Sequence, residues 1–246
     1  MKATTAARTA PVLALVTLTA ACAGGTDGPA GTGRAGALRA PSGTHLVITT
    51  ENGVTLRPAA GDGITVDDTV RPRWSHRDGT RVLDLDCAGR DGRCPRMPRV
   101  GVPGGVTVTV AARDAGIDAA GLTGALDLTT VNGDVTVTRS GADDATVRLT
   151  TRNGSVRATA LRAGTLRAGT VNGDVALACA TAPAGVGGST TNGSVRLVLP
   201  ADPPAYRVTA ATDNGAASVA VPTTDAGDGR TLRLTTVNGD VTATHD

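Results

Sequence analysis

Reactive side chains are few in this 246-residue chain, and most of them stand alone. Its three histidines, His45, His76 and His245, share no metal-ligating spacing. No Ser-His-Asp order, glycine-rich phosphate loop or zinc-helix motif is present. Two pairs of adjacent acids, Asp67-Asp68 and Asp143-Asp144, come nearest to an acid–base dyad, and each falls in a turn-like, solvated stretch. Sugar-processing sites also want aromatic platforms, whereas this chain has one Trp, one Tyr and no Phe. The sequence therefore predicts no enzyme, no cofactor and no metal site. It also excludes a nucleic-acid binder: 24 basic residues face 22 acidic ones, and the excess is Lys2 and Arg8 near the start, leaving no basic stripe.

Cysteine is the exception among the reactive types. Cys87 and Cys94 flank the polar loop AGRDGR and are expected to close into a disulfide, which requires a compartment outside the cytosol. Cys179 is left single, in the phase of apolar positions, and reads as a buried thiol acting as a small apolar side chain. Cys22 has a different setting. Residues 1–21 place Lys2 and Arg8 ahead of an apolar run at 11–18, then Thr19, Ala20 and Ala21 directly before the cysteine. That run is too short to span a bilayer, so it reads as a cleaved leader. The small residues before Cys22 match a bacterial lipoprotein processing site, although Thr19 stands where Leu or Val is usual. Cys22 is thus the expected point of lipid attachment, and its acyl chains would hold the protein on the membrane.

Residues 22–43 are mostly Gly, Ala, Pro and Thr without periodicity, and are expected to form a flexible tether. The bias toward Arg, Asp, Ala and Gly, with Lys2 the only lysine and Glu51 the only glutamate, points to a GC-rich, actinobacterial genome. The expected location is the outer face of the cell membrane.

The elements that must position anything beyond residue 43 are set by a repeat. Asn-Gly recurs at Asn132-Gly133, Asn153-Gly154, Asn172-Gly173, Asn192-Gly193, Asn214-Gly215 and Asn238-Gly239, in steps of 21, 19, 20, 22 and 24 residues. Two residues before each Asn is a Thr; six before is Leu or Val. Three and five after are Val, Ala or Leu, with Thr, Arg, Asp or Ser between. This period-two alternation on both sides of a turn makes two half-buried strands per unit. Asn-Gly suits the turn if both residues take positive φ. Asn52-Gly53 is out of register, since Val54 follows at once, and reads as a different turn.

Two all-β architectures satisfy the pattern, an antiparallel hairpin meander or sandwich and a parallel β-solenoid of about 20-residue coils. The solenoid is favoured because stacked coils align identical residues about 4.8 Å apart, where asparagines bond amide to amide; a meander has no reason to repeat the Thr. Residues 126–246 are the regular solenoid, and 44–125 its N-terminal cap with irregular first coils, Trp74 plugging an end. Stretches 140–145 and 181–188 are expected to be loops. The residue after Gly alternates Asp134, Ser155, Asp174 and Ser194, which spaces like charges two coils apart, with Arg152 placed diagonally beside Asp134 and Asp174.

LDLTTVNGDVTVT at 126–138, its echo LRLTTVNGDVTAT at 232–244 and CPRMPRVGVPGGVTVTV at 94–110 resemble the "putative adhesin" domain of bacterial surface proteins, similar to autotransporter adhesin heads. The resemblance covers about 44–246 and implies a β-helical stack and, by name alone, adhesion. The expected function is a non-enzymatic surface lipoprotein whose rigid solenoid, with Thr136, Arg148, Arg152, Arg157, Arg196 and Asp134 outward, contacts cell-wall polymer or a surface protein. The alternatives are a structural or sensory subunit of an envelope complex and, less favoured, a polysaccharide-active β-helix enzyme.

Overall fold

The computed structural model describes residues 38–40, 43–68, 70–77, 79–86, 96–225 and 229–246, and within them every regular element is a strand. The alternation of each repeat becomes one dry face and one wet face. In Leu126–Thr129 and Val135–Thr138 the buried residues are Leu126, Leu128, Val135 and Val137, with Asp127 and Thr136 between them turned outward. The two strands flanking an Asn-Gly turn do not pair with each other, so there is no hairpin. Leu126–Thr129 lies parallel between Thr107–Ala112 and Gly141–Thr150; Val135–Thr138 lies parallel between Ile117–Ala120 and Val156–Gly169. The architecture is a parallel β-solenoid in which each coil gives one strand to each of two facing sheets. Its core is a thin filling of Val, Leu, Ile and Ala. Each fully buried Val or Leu contributes about 1.5–3 kcal/mol, and a coil supplies about four such positions.

Chain order and stacking order differ at both ends. The first sheet runs Thr80–Asp86, His45–Thr50, Thr107–Ala112, Leu126–Thr129, Gly141–Thr150, Val156–Gly169, Gly185–Ser189, Thr231–Asn238 and finally Arg207–Asn214. The second sheet repeats this permutation: Val241–His245 sits between Val195–Leu199 and Ala217–Val219, and Val54–Pro58 between Arg99–Val102 and Ile117–Ala120. The last coil, 231–245, is therefore inserted beneath the coil that precedes it in sequence.

Antiparallel strands close the N-terminal end. Arg71–Arg77 pairs with Thr80–Asp86, setting Trp74 opposite Leu83 and against the core, and Gly63–Val66 pairs with Arg99–Val102, burying Ile64. Among the described residues the other end is open. In the outermost described coil Val208 and Ala210 are half-buried, and Val219 is 39% exposed, with no described coil beyond it. Tyr206 anchors the connection into this coil: it is fully buried, and its hydroxyl donates to the Pro183 carbonyl at 2.8 Å.

One expected loop is strand and the other is strand in its second half. Residues 141–145 belong to Gly141–Thr150; residues 181–184 lie outside regular structure, while 185–188 belong to Gly185–Ser189, which pairs on both sides within the first sheet. Their glycines hid the strands, since glycine carries no apolar signal even where it occupies an inward position, as Gly188 does between Val195 and Leu234.

Candidate functional site

The repeated turn forms three side-chain columns, each linking a coil to its neighbour. The Thr two residues before Asn is buried and donates its hydroxyl to a carbonyl of the previous coil: Thr151 to Gly133, Thr170 to Gly154, Thr190 to Gly173 and Thr236 to Gly193, all at 2.8 Å. Each Asn amide donates at 2.9 Å to the Asn side-chain oxygen before it, in the order Asn132, Asn153, Asn172, Asn192, Asn238, Asn214. Asp114 heads this column by accepting from Asn132. Only glycine takes positive φ in these turns, not asparagine. The coils approach so closely there that a Cβ on Gly173 would lie 2.1 Å from the Gly154 carbonyl oxygen. Asparagine recurs for its amide, glycine for its bareness.

The third column explains the residue after Gly. Asp134 and Asp174 accept the backbone N–H of Ser155 and Ser194 at 2.8 Å, and Asp240 accepts that of Ala216 at 2.9 Å. Between them Ser155 and Ser194 hydroxyl oxygens accept the N–H of Asp174 and Asp240. In stacking order the column reads Asp, Ser, Asp, Ser, Asp, Ala. The insertion of the last coil keeps the alternation intact, and alanine falls on the coil that has no neighbour to serve. The guanidinium paired with Asp134 belongs to Arg157, at 2.6 Å, and not to Arg152, because Arg157 lies one coil on and on the same strand face. Asn52-Gly53 is a different turn, one residue shorter: Gly53 is outside the positive-φ region, and the Thr50 hydroxyl oxygen accepts the Asn52 N–H at 3.1 Å. Thr50 is buried two places before it, and Val54 occupies the row of Ile117 and Val135.

Among the described residues most reactive groups are buried or spent on structure, His76 being exposed. Cys179 is free and buried, and burial pushes its thiol up to about 12, which leaves no thiolate near neutral pH. His45 meets the Thr109 hydroxyl at 2.8 Å, and His245 lies beside the backbone of Asp246. Asp143 is held below the ordinary carboxylate value by hydrogen bonds from Arg162 and Thr181, which fasten adjacent coils. Among the described residues no three His, Cys, Asp or Glu side chains group as metal ligands, and no buried side-chain polar atom lacks a partner. Cys22, Cys87 and Cys94 lie outside the described residues.

The outward face of the first sheet carries a groove of about 360 Å³. Arg148, Arg167 and Arg233 line it, with Gly187 as its floor and Ser189 and Thr235 beside. In register the row runs Asp127, Arg148, Arg167, Gly187, Arg233. Arg148 lies 3.8 Å from Asp127. Arg167 and Arg233 have no ion-pair or hydrogen-bond partner for their side chains among the described residues. Sequence reasoning named Arg148 but missed Arg167 and Arg233, whose neighbourhood forms only once residues 46 apart in sequence share adjacent strands.

With the stacked coils and their turn columns in view, the comparison with known families is direct. A protein-family model described as Toastrack DUF4097 matches residues 101–244. The chain belongs to that family. The Toastrack match takes in every coil from Thr107–Ala112 onward, including the inserted one, and leaves out the antiparallel cap. No curated protein matches the chain. Two solved structures are similar at low identity. A putative cell adhesion protein from Clostridium sporogenes ATCC 15579 has TM-score 0.38 and 8% identity, covering 83% of this chain and 94% of its own. A putative adhesin from Bacteroides fragilis NCTC 9343 has TM-score 0.35 and 12% identity, covering 85% and 94%.

Proposed function

We propose that this protein is a non-catalytic binding module of the bacterial cell surface, anchored through Cys22 on a tether at 22–43 and presenting its solenoid to a wall polymer or neighbouring surface protein. One observation supports this reading most: the division of labour among polar side chains. The recurring Thr, Asn, Asp and Ser of the turns are used to fasten coil to coil. The one free thiol described is buried. What remains for an outside partner is the strand faces, where arginines and hydroxyls are displayed on a rigid lattice.

The test is fractionation of cells expressing the full chain with a palmitate analogue present. The wild type should take up label, sediment with membranes and be retained by isolated wall material or crosslink to a surface protein. Cys22→Ala should lose label and appear in the medium. An unlabelled wild type that neither wall nor partner retains would overturn the reading.

A further inference from the structure

Gly187 is a glycine without a structural reason. Its backbone is outside the left-handed region, and a Cβ placed on it would meet nothing nearer than Arg167 Cγ at 3.9 Å. Its neighbour differs: a Cβ on Gly188 would press Val195 and Leu234 at 3.0 and 3.1 Å. Glycine inside a strand is destabilising relative to alanine, and such a position often marks a bulge or the close approach of a ligand or another backbone. Here the missing side chain leaves a trough between Arg167 and Arg233, two strands and about 9.6 Å apart along the sheet.

Of the three arginines in that trough, Arg148 has Asp127 beside it, while Arg167 and Arg233 have no carboxylate partner among the described residues. Some arginines elsewhere on the surface are matched to acids, as in Arg57–Asp118, Arg157–Asp134 and Arg162–Asp143. No carboxylate lines the groove, and its side chains offer guanidinium donors from Arg148, Arg167 and Arg233 with the hydroxyls of Ser189 and Thr235 at the flank. Guanidinium forks hold phosphate and carboxylate oxygens with two parallel hydrogen bonds. Both aromatic residues lie elsewhere, Trp74 in the cap and Tyr206 in the core, so no ring stacks on a sugar face in this groove. Recognition by charge and length is what the groove can do.

We propose that this groove binds a linear oligoanion, with successive anionic groups settling on Arg167 and Arg233 and its backbone passing over Gly187. The proposal rests on the binding-module reading and names the ligand chemistry at one face of it. Two envelope sources share that chemistry, phosphodiester polymers and polyuronates. Titration of the full chain in detergent with fluorescent poly(glycerol phosphate) and, separately, oligogalacturonate distinguishes them. At least one should bind, more weakly as salt rises, with Arg167→Ala and Arg233→Ala each losing roughly tenfold in affinity. Gly187→Val should block the groove while its unfolding midpoint holds or rises, because a β-branched residue suits an exposed strand. The arm that binds identifies the source. Failure of both probes, or binding that all three variants leave unchanged, overturns the proposal. Retention of those variants by whole wall material at wild-type strength would also overturn it, while leaving the binding-module reading in place.

Discussion

Gly173 and Gly187 show how one residue type serves opposite ends. Gly173 is fixed by the Gly154 carbonyl 2.1 Å from where its Cβ would stand, and Gly187 by nothing in the fold. Gly173→Ala should therefore cost more than about 2 kcal/mol in denaturant unfolding. Gly187→Ala should be neutral or stabilise by up to about 1 kcal/mol; equal losses would refute the distinction. Thr170→Val removes a buried donor from the Gly154 carbonyl and should cost about 1–2 kcal/mol, with Thr170→Ser recovering much of it. Burial by itself raises the Asp134 carboxyl, but the Ser155 N–H and Arg157 outweigh it and hold the group below its ordinary value. A depressed folded value means the unfolded chain takes up the proton first as pH falls. The stability Asp134 provides is complete above about pH 4 and disappears as pH drops through the folded value. The gap between wild type and Asp134→Asn, small for so exposed a pair, should close as pH falls below about 4 in acid unfolding curves. For Cys179 the sign is reversed: its raised folded value makes the native state lose stability as pH rises above about 8.5, and the thiol should resist alkylation at pH 8 until denaturant is added.

At the scale of elements, the insertion of 231–245 beneath 207–219 sets the order in which coils loosen. Among the described residues Arg207–Asn214 and Ala217–Val219 have a strand neighbour on one side only, whereas Thr231–Asn238 and Val241–His245 have one on each. Hydrogen exchange should show amides of 231–245 outlasting those of 207–219, reversing the fraying expected of a segment nearer the chain end. Faster exchange in 231–245 would contradict this packing. The parallel stack was legible in the fixed phase of Thr, Asn and Gly, because only in-register coils give each of them the same neighbour. The order of stacking was not, since a periodic pattern is unchanged when two units trade places. The single residue carrying that information is Ala216, which interrupts the Asp and Ser alternation because no further amide awaits an acceptor there. The groove was illegible for a related reason. Arg167, Gly187 and Arg233 meet through the permuted order, and glycine in Gly185–Ser189 resembled a loop.

The whole molecule has its two ends built differently and a built-in optical probe at one of them. Trp74, the only tryptophan, lies in the antiparallel cap, while the far end is an uncovered coil. In a linear array stability accrues coil by coil through nearest-neighbour contacts. Denaturant should strip the open end first, so loss of strand signal in circular dichroism should begin before the Trp74 emission shifts. Superimposable curves would instead mean that the array melts as one unit. The uncharged balance of 22 basic and 22 acidic residues beyond position 21 makes the groove a local positive feature on a neutral body. Its attraction for anions is therefore short in range and readily screened.

The place of residues 231–245 also bears on how such arrays lengthen over generations. A copy placed directly after 231–245 would follow a coil whose two edges are both paired, so it would have to cross 207–219 to reach an edge free among the described residues. Copies arising among the middle units meet no such obstacle: an added turn simply lengthens the columns of Thr, Asn and Asp or Ser. An added coil is therefore accommodated most simply between the units of Asn132 and Asn192, where the columns are continuous in chain order.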